Sequence, residues 1–590
     1  MTEHIEDYLN ISEPVGYDNS VINIEYISQD PVYGTNLNNA IPTVITINPT
    51  SDWLLPSESY LYIEGRLLKS DGSRVQPVAQ RLWPNVALLN NFFPYMYQTL
   101  RYLVNDVEIE AFNYPGQCTT IKHLATLTNK YNGLDSGWCL DTYDGQAGHA
   151  DIIYTHMKTY EVADFTSAGA TPTAAEYDVF CRQVFDDFNN ANPTKKVTPY
   201  DAGYIESFIS NPPTRAEILT VMNLMLDRFR DFLRSPRIPT TGTEPTDVTK
   251  VVIVPYFNTQ LTNAVNTSLS HLTNDLDNFN KGFIKRKEFL FDTILNVMAD
   301  SEAGDFSFRI PLSYLFNFCE DYRKVMFNCK HEIQLNRQTN YMPVLKDKLV
   351  GNDTFKIQID NMRWYMPKIT PNLSMQSFML KQIEDGIEVD LAFMNKKVDY
   401  FSLPNLNIFT AQINYSTGIE KPRYIVAGFQ TIDTAKPKAS DTQSINYALF
   451  NGTNLDGANN LMVDVNYVNV KINGTPYQLM DYNNNFNQNR IARWYNEYKK
   501  FKKSYRGDFN EDDCISFYEF RNLYRLYVFD ISKQAEQLMS TGVANVSLEF
   551  NFNQPSTPPP ATMKTELYIV SFYDRAWKLK SDGTRQYIVK

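Results

Sequence analysis

Histidine and cysteine are scarce in this chain, with six of each among 590 residues. Cys118, Cys139, Cys181, Cys319, Cys329 and Cys514 include no pair spaced for a zinc knuckle, and a secreted disulfide framework is denser than this. They read as reduced, buried thiols. No run of about 18 apolar residues occurs, so no membrane-spanning helix is expected. The opening stretch from Met1 to Asp7 is acidic and polar, and no apolar signal-peptide core follows it. The protein is therefore expected to act where it is made or in an assembly formed there. An excess of positive charge is missing too: the formal net charge is -12, which disfavours a protein whose main task is to coat nucleic acid.

The signatures of ordinary catalysis are also lacking. The chain has no phosphate-binding Gly-x-x-x-x-Gly-Lys-Ser/Thr loop, no Gly-x-Gly-x-x-Gly and no Gly-x-Ser-x-Gly. The nearest approach to a zinc-protease motif, His331-Glu332-Ile333-Gln334-Leu335, lacks the second histidine. Phe327, Cys329, His331, Ile333 and Leu335 alternate with polar residues, which is a strand pattern, whereas the zinc motif needs positions i and i+4 on one helix face. His331 reads as a core or interface histidine. Cys319, Cys329 and His331 have no fourth ligand in reach of sequence, so no metal, no cofactor and no catalytic residue is assigned. Glu320-Asp321 and Glu511-Asp512-Asp513 read as loop, cap or intersubunit residues.

Two basic runs stand out. Lys499-Lys500-Phe501-Lys502-Lys503 with Arg506 fits either a patch for nucleic acid or membrane, or the charged face of a short helix balanced by Asp508 and the acids at 511–513; the second is preferred. Lys285-Arg286-Lys287 precedes a new set of strands. The glycosylation triplets at Asn266 and Asn451 are expected to be unused without secretion.

What the chain has in quantity is β signal and aromatic surface. Its 38 Tyr and 36 Phe suit half-buried sheet faces and protein interfaces. Its length is too great for one core and fits two large β domains or three to four smaller ones. Strand patterns fall at 43–47, 60–68 (running into a turn at 69–72), 251–254, 355–360, 524–529 and 567–573. At 462–472 the apolar parity changes, which predicts a bulge near 467 or 468. At 545–552, Val546, Leu548, Phe550 and Phe552 alternate with polar residues, giving one dry and one wet face. Helices are expected at 119–130, at 215–233 and at 489–503, where Ile491, Trp494, Tyr498 and Phe501 share a face. No strand–helix repeat of an α/β enzyme appears. Long polar stretches at 141–175, 235–249, 434–460 and 553–562 read as decorated loops. A boundary near 280–290 divides the chain into nearly equal halves.

Four segments carry a family resemblance. FSFRIPLSYLFNFCEDYRKVMFNCKHEIQLNR at 306–337 resembles the opening of the second jelly roll in double jelly-roll major capsid proteins of polinton-like viruses, adintoviruses and virophages. KPRYIVAGFQT at 421–431 and FRNLYRLYVFDISKQ at 520–534 resemble later parts of that family. VNDVEIE at 104–110, with Tyr114-Pro115-Gly116, is similar to its first jelly roll. The resemblance implies an all-β fold of two tandem eight-stranded jelly-roll sandwiches, with short helices and long loops between strands. The expected layout is an N-terminal arm at 1–20, a first jelly roll at 21–283, a second at 284–575 and a tail at 576–590. It further implies a non-enzymatic shell protein of a virion. Pseudo-hexagonal homotrimers would tile an icosahedral capsid around double-stranded DNA. Neighbouring capsomers, penton and minor capsid proteins would be its partners, with room for weak contact with packaged DNA or an inner membrane. The competing readings are a minor capsid or attachment protein and a carbohydrate-active β-sandwich enzyme. The enzyme would require two facing carboxylates in a cleft.

Overall fold

The computed structural model describes residues 19–142, 281–291 and 303–589, apart from breaks at 33–36, 40, 77–83, 85 and 128–132 and short loop stretches beyond 338. The expected helix at 215–233 and strand at 251–254 lie outside the described residues.

The first group of strands, numbered along the chain, forms two facing antiparallel sheets. One runs β8 (Asp305–Pro311), β4 (Tyr60–Lys69), β12 (Phe355–Pro371), β3 (Trp53–Leu54) and β9 (Met326–Phe327), with β1 (Val21–Gln29) also paired to β12. The other runs β2 (Thr43–Ile47), β10 (His331–Arg337), β6 (Tyr97–Val104) and β7 (Val107–Asn113). Alternation in β4 sends Leu61, Ile63 and Leu67 into the space between the sheets and leaves Tyr60, Tyr62 and Glu64 half-buried outside. Gly65 is required there. A Cβ would stand 2.4 Å from the Gln358 carbonyl oxygen and 2.9 Å from the Phe306 ring. Trp364 of β12 and Tyr102 of β6, both fully buried, meet edge to face across the gap at 6.1 Å.

The second group repeats the plan. One sheet runs β13 (Val389–Leu403), β21 (Met563–Ser581), β15 (Pro422–Asp433) and β19 (Tyr527–Asp530), with β22 (Gln586–Val589) added to β21. The facing sheet runs β14 (Ile408–Ile413), β20 (Val546–Asn553), β17 (Asp464–Ile472) and β18 (Thr475–Pro476). Phe429 of β15 lies 5.2 Å from Phe550 of β20, ring edge to face, and marks the centre of this second core. Gly428 beside it lets the Phe450 ring approach, since a Cβ would fall 2.8 Å from that ring. A fifth, small sheet joins β5 (Val86–Leu88), β11 (Val344–Lys346) and β16 (Thr442–Gln443) across the two groups.

Several expectations hold. The strands at 43–47 and 60–68 form, and the turn after the latter closes with Gly72 at φ +93°. The register of β17 on β20 shifts between Val465 and Tyr467, next to the expected bulge. Helix Ala492–Arg506 lies three residues beyond the expected 489–503 and buries Trp494, Tyr498 and Phe501 as one face, with Ile491 buried just before it. Helix Pro115–Thr126 begins four residues before the expected 119 and is buried along nearly its whole length.

Three expectations need correction. The architecture is not a pair of clean eight-stranded sandwiches: the described strands fall into five sheets, and short helices such as Leu312–Leu315 and Asn317–Asp321 interrupt them. The face of β20 expected to be wet is only partly so, with Asn545 exposed, Ser547 buried and Glu549 and Asn551 half-buried. Sheet pairing also runs through the expected boundary. β8, β10 and β12 are hydrogen-bonded to β4, to β2 and β6, and to β1. Strands from both sides of the stretch 143–280 complete one pair of sheets, so the midpoint of the sequence is not a midpoint of the fold. The two groups of strands part instead at helix Leu373–Glu384, and β21 and β22 carry the expected tail into a sheet.

Candidate functional site

The most unusual chemistry lies where the two groups of strands dock. β6 turns into β7 through Asn105-Asp106, both with positive φ, a pair that suits a tight hairpin. β7 then carries Glu110 into the interior, where it is fully buried. Its Oε1 and Oε2 accept the backbone N–H groups of Asn317 (3.1 Å) and Phe318 (2.8 Å) at the start of helix Asn317–Asp321. β13, from the second group, brings Lys396 opposite. The Lys396 ammonium donates to Glu110 Oε1 (2.9 Å), Asn317 Oδ1 (2.9 Å) and the Leu315 carbonyl (2.7 Å), so each of its three protons has an acceptor. The ammonium also lies over the Phe112 ring, 4.1 Å from its centroid.

A second buried ammonium, Lys122 of helix Pro115–Thr126, donates to the same Asn317 Oδ1 (2.7 Å) and pairs with Glu320. Burial pulls Lys122 below its ordinary pKa, and Glu320 works against that. Asn317 is the hub: its Nδ2 donates onward to the Met394 carbonyl of β13 (2.7 Å). Asp321 accepts the Met394 N–H (2.8 Å), and burial raises its carboxyl above the ordinary value. Two lysines face two glutamates, so the pairs are charge-neutral. Such a cluster holds only while both sides supply their members, because a lone buried charge is costly.

A second clamp lies nearby. Arg286 of helix Lys281–Phe291 is buried and donates to the Leu88 carbonyl (2.7 Å), the Cys139 carbonyl (2.5 Å) and Asp141 Oδ1 (2.6 Å). Tyr524 reaches from the second group to the Asp141 carbonyl at 2.9 Å, and Tyr498 to the Leu124 carbonyl at 2.8 Å.

The residues singled out from sequence land as follows. His331 is fully buried on β10, and its Nδ1 lies 3.0 Å from the Tyr102 hydroxyl. Burial depresses its pKa from 6.5 to about 3. Below pH 6.5 the unfolded chain thus binds a proton that the folded chain refuses, and stability falls as pH drops from about 6.5 towards 3. His331→Leu is expected to lower the unfolding midpoint at neutral pH, through the lost Tyr102 contact, and to flatten its decline between pH 6.5 and 4. Unfolding curves of both proteins across that range check this.

Cys118, Cys139, Cys319 and Cys329 are buried free thiols, and burial pushes Cys118 and Cys329 up to about 12. Cys181 and Cys514 lie outside the described residues. Among the described residues no group of three or more His, Cys, Asp or Glu is placed to hold a metal ion. Glu320 and Asp321, read as loop, cap or intersubunit residues, belong to the interior dock, and the acids at 511–513 lie outside the described residues. Of the basic runs, Arg286 and Lys502 are buried, while Lys285, Lys499, Lys500 and Lys503 are exposed. Lys500 pairs with Glu497 at 2.9 Å, as a charged helix face does. Asn451 is buried, and Asn266 lies outside the described residues. The dock itself was not foreseen; its sequence trace is that two of the four segments compared with capsid proteins supply its members Glu110, Asn317, Glu320 and Asp321, and a third supplies Tyr524 of the second clamp.

The model of the double jelly roll-like domain matches residues 262–576, more than half of the chain. The chain belongs to the double jelly roll-like family. No curated protein matches this double jelly-roll chain. Solved structures similar to it include the Sputnik virophage structure determined by cryo-EM (10% identity, 100% of this chain and 93% of that chain covered, TM-score 0.44). The mavirus major capsid protein is similar at 10% identity, with 100% and 93% covered and a TM-score of 0.43. The Faustovirus major capsid protein is similar at 8%, with 97% and 92% covered and a TM-score of 0.40.

The outer surface of this double jelly-roll protein is aromatic and apolar in places. Tyr60 stacks on Tyr365 at 5.1 Å beneath the Arg309 guanidinium, and Tyr26 leans on Tyr60 at 5.7 Å. Helix Leu373–Glu384 has no buried residue, and Leu373 and Phe378 are 77% and 58% exposed.

Proposed function

We propose that this protein is a major capsid protein whose two sheet pairs, about 20–371 and 388–589, are the two upright jelly rolls of a pseudo-hexagonal homotrimer. The observation that carries this reading is the coincidence of family membership with the docking of the two sheet pairs: segments resembling capsid proteins supply Glu110 and Asn317 of the dock and, from the second group, Tyr524 of the clamp. A joint of that kind makes one chain a rigid two-sandwich block, and three such blocks present six similar faces, as a hexagonal array needs. The exposed aromatic and apolar residues on β1 and helix Leu373–Glu384, beside the half-buried tyrosines of β4, suit chain–chain contact, where Tyr and Phe are enriched. The role requires no bond chemistry. Its partners on this reading are other copies of itself, penton and minor capsid proteins and, weakly, DNA or an inner membrane; its place is the virion shell.

Native mass spectrometry of the purified full chain tests this. A stable species of three 68.1 kDa chains is expected. A monodisperse monomer that never assembles overturns the reading. A minor band in purified particles would favour the alternative of a minor capsid or attachment protein.

A further inference from the structure

We propose that the Glu110, Lys396, Asn317, Lys122 and Glu320 cluster is an orientation lock: it fixes how the two sheet pairs sit on each other within one chain, before any chain meets another. It concerns the soluble chain alone, so it stands or falls independently of the capsid reading.

The directional character of the contacts separates a lock from simple adhesion. A hydrophobic joint tolerates sliding, because apolar contact has no preferred angle. Here each polar atom is committed. The Lys396 protons point at three acceptors on three elements, and Glu110 holds two adjacent backbone N–H groups. Asn317 receives both lysines on one oxygen and returns its amide to β13. A shift of one sheet pair would strand several buried polar groups at once, so off-register docking is excluded by cost. Buried polar groups that select one arrangement, at the expense of an apolar alternative that is no less stable, are known in other folds.

Three full-length variants test the lock, with hydrogen exchange read at the Met394 amide. That amide is bonded to Asp321 and sits on the far side of the joint, and no variant alters either group. Lys396→Met leaves Glu110 buried without its cation and is expected to speed exchange at Met394 at least about tenfold and to lower the unfolding midpoint. Glu110→Leu with Lys396→Met removes both charges. It is expected to recover only part of the midpoint, because the N–H groups of Asn317 and Phe318 lose their acceptor, and not the Met394 protection, since adhesion returns without direction. Glu110→Lys with Lys396→Glu keeps both charges but turns an ammonium towards the N–H groups of Asn317 and Phe318, so it is expected to rescue neither reading. Asn317→Ser, which retains all charges, serves if Lys396→Met yields no soluble protein, and faster Met394 exchange is again expected. Full Met394 protection in the double apolar variant, or rescue by the charge swap, overturns the lock: the cluster would then be ordinary adhesion or simple charge pairing.

Discussion

Arg286→Met is expected to destabilise the chain by about 3–5 kcal/mol, the cost of breaking a buried ion pair from one side. The guanidinium makes three short hydrogen bonds, one to Leu88 and two to the stretch that holds Cys139 and Asp141. Methionine fills much of the same volume but offers no donor, so the change isolates the polar contribution. Asp141 also anchors Tyr524 through its carbonyl, which ties the clamp to the second group of strands. Asp141→Leu combined with Arg286→Met is expected to recover part of the loss, because the uncompensated carboxylate goes with it. Denaturant unfolding of the single and double variants measures the coupling.

Trp364→Ala is expected to cost a similar amount, about 3–5 kcal/mol. Trp364 is fully buried midway along the 17-residue strand β12, and its ring faces Tyr102 from the opposite sheet. Truncation leaves a cavity between two sheets whose backbones are fixed by pairing on both sides, so collapse is limited. Trp364→Phe is expected to cost much less. The indole N–H has no hydrogen-bond partner among the described residues, so phenylalanine removes an unsatisfied donor while keeping most of the aromatic contact. Thermal unfolding of the two variants checks both the size and the order of the effects.

Individual elements were legible where a period met a single burial direction. β4 and helix Ala492–Arg506 each bury one clean face, so alternation and the 3.6-residue stripe located them. His331 was legible as a strand residue for the same reason. The β17–β18 hairpin could have been found, since Asn473-Gly474 is a strong two-residue turn signal and both residues have positive φ. The division between the sheet pairs was not legible. Strand pairing joins residues more than 200 positions apart, such as Tyr60 with Pro311 and Tyr365, and no local pattern encodes that. The dock was hidden for a related reason. Lys396 stands in Asn395-Lys396-Lys397, which by local pattern is a solvated pair, and only the fold sets Lys396 against Glu110 while its neighbour Lys397 pairs with Asp399 near the surface.

Electron cryo-microscopy of the shells formed by the purified protein tests the central claim most directly. The claim predicts capsomers with a pseudo-hexagonal outline, three chains in each, and two upright sandwiches per chain joined at Lys396 and Glu110. Capsomers built from six chains, or chains whose two sheet pairs lie apart, would contradict it.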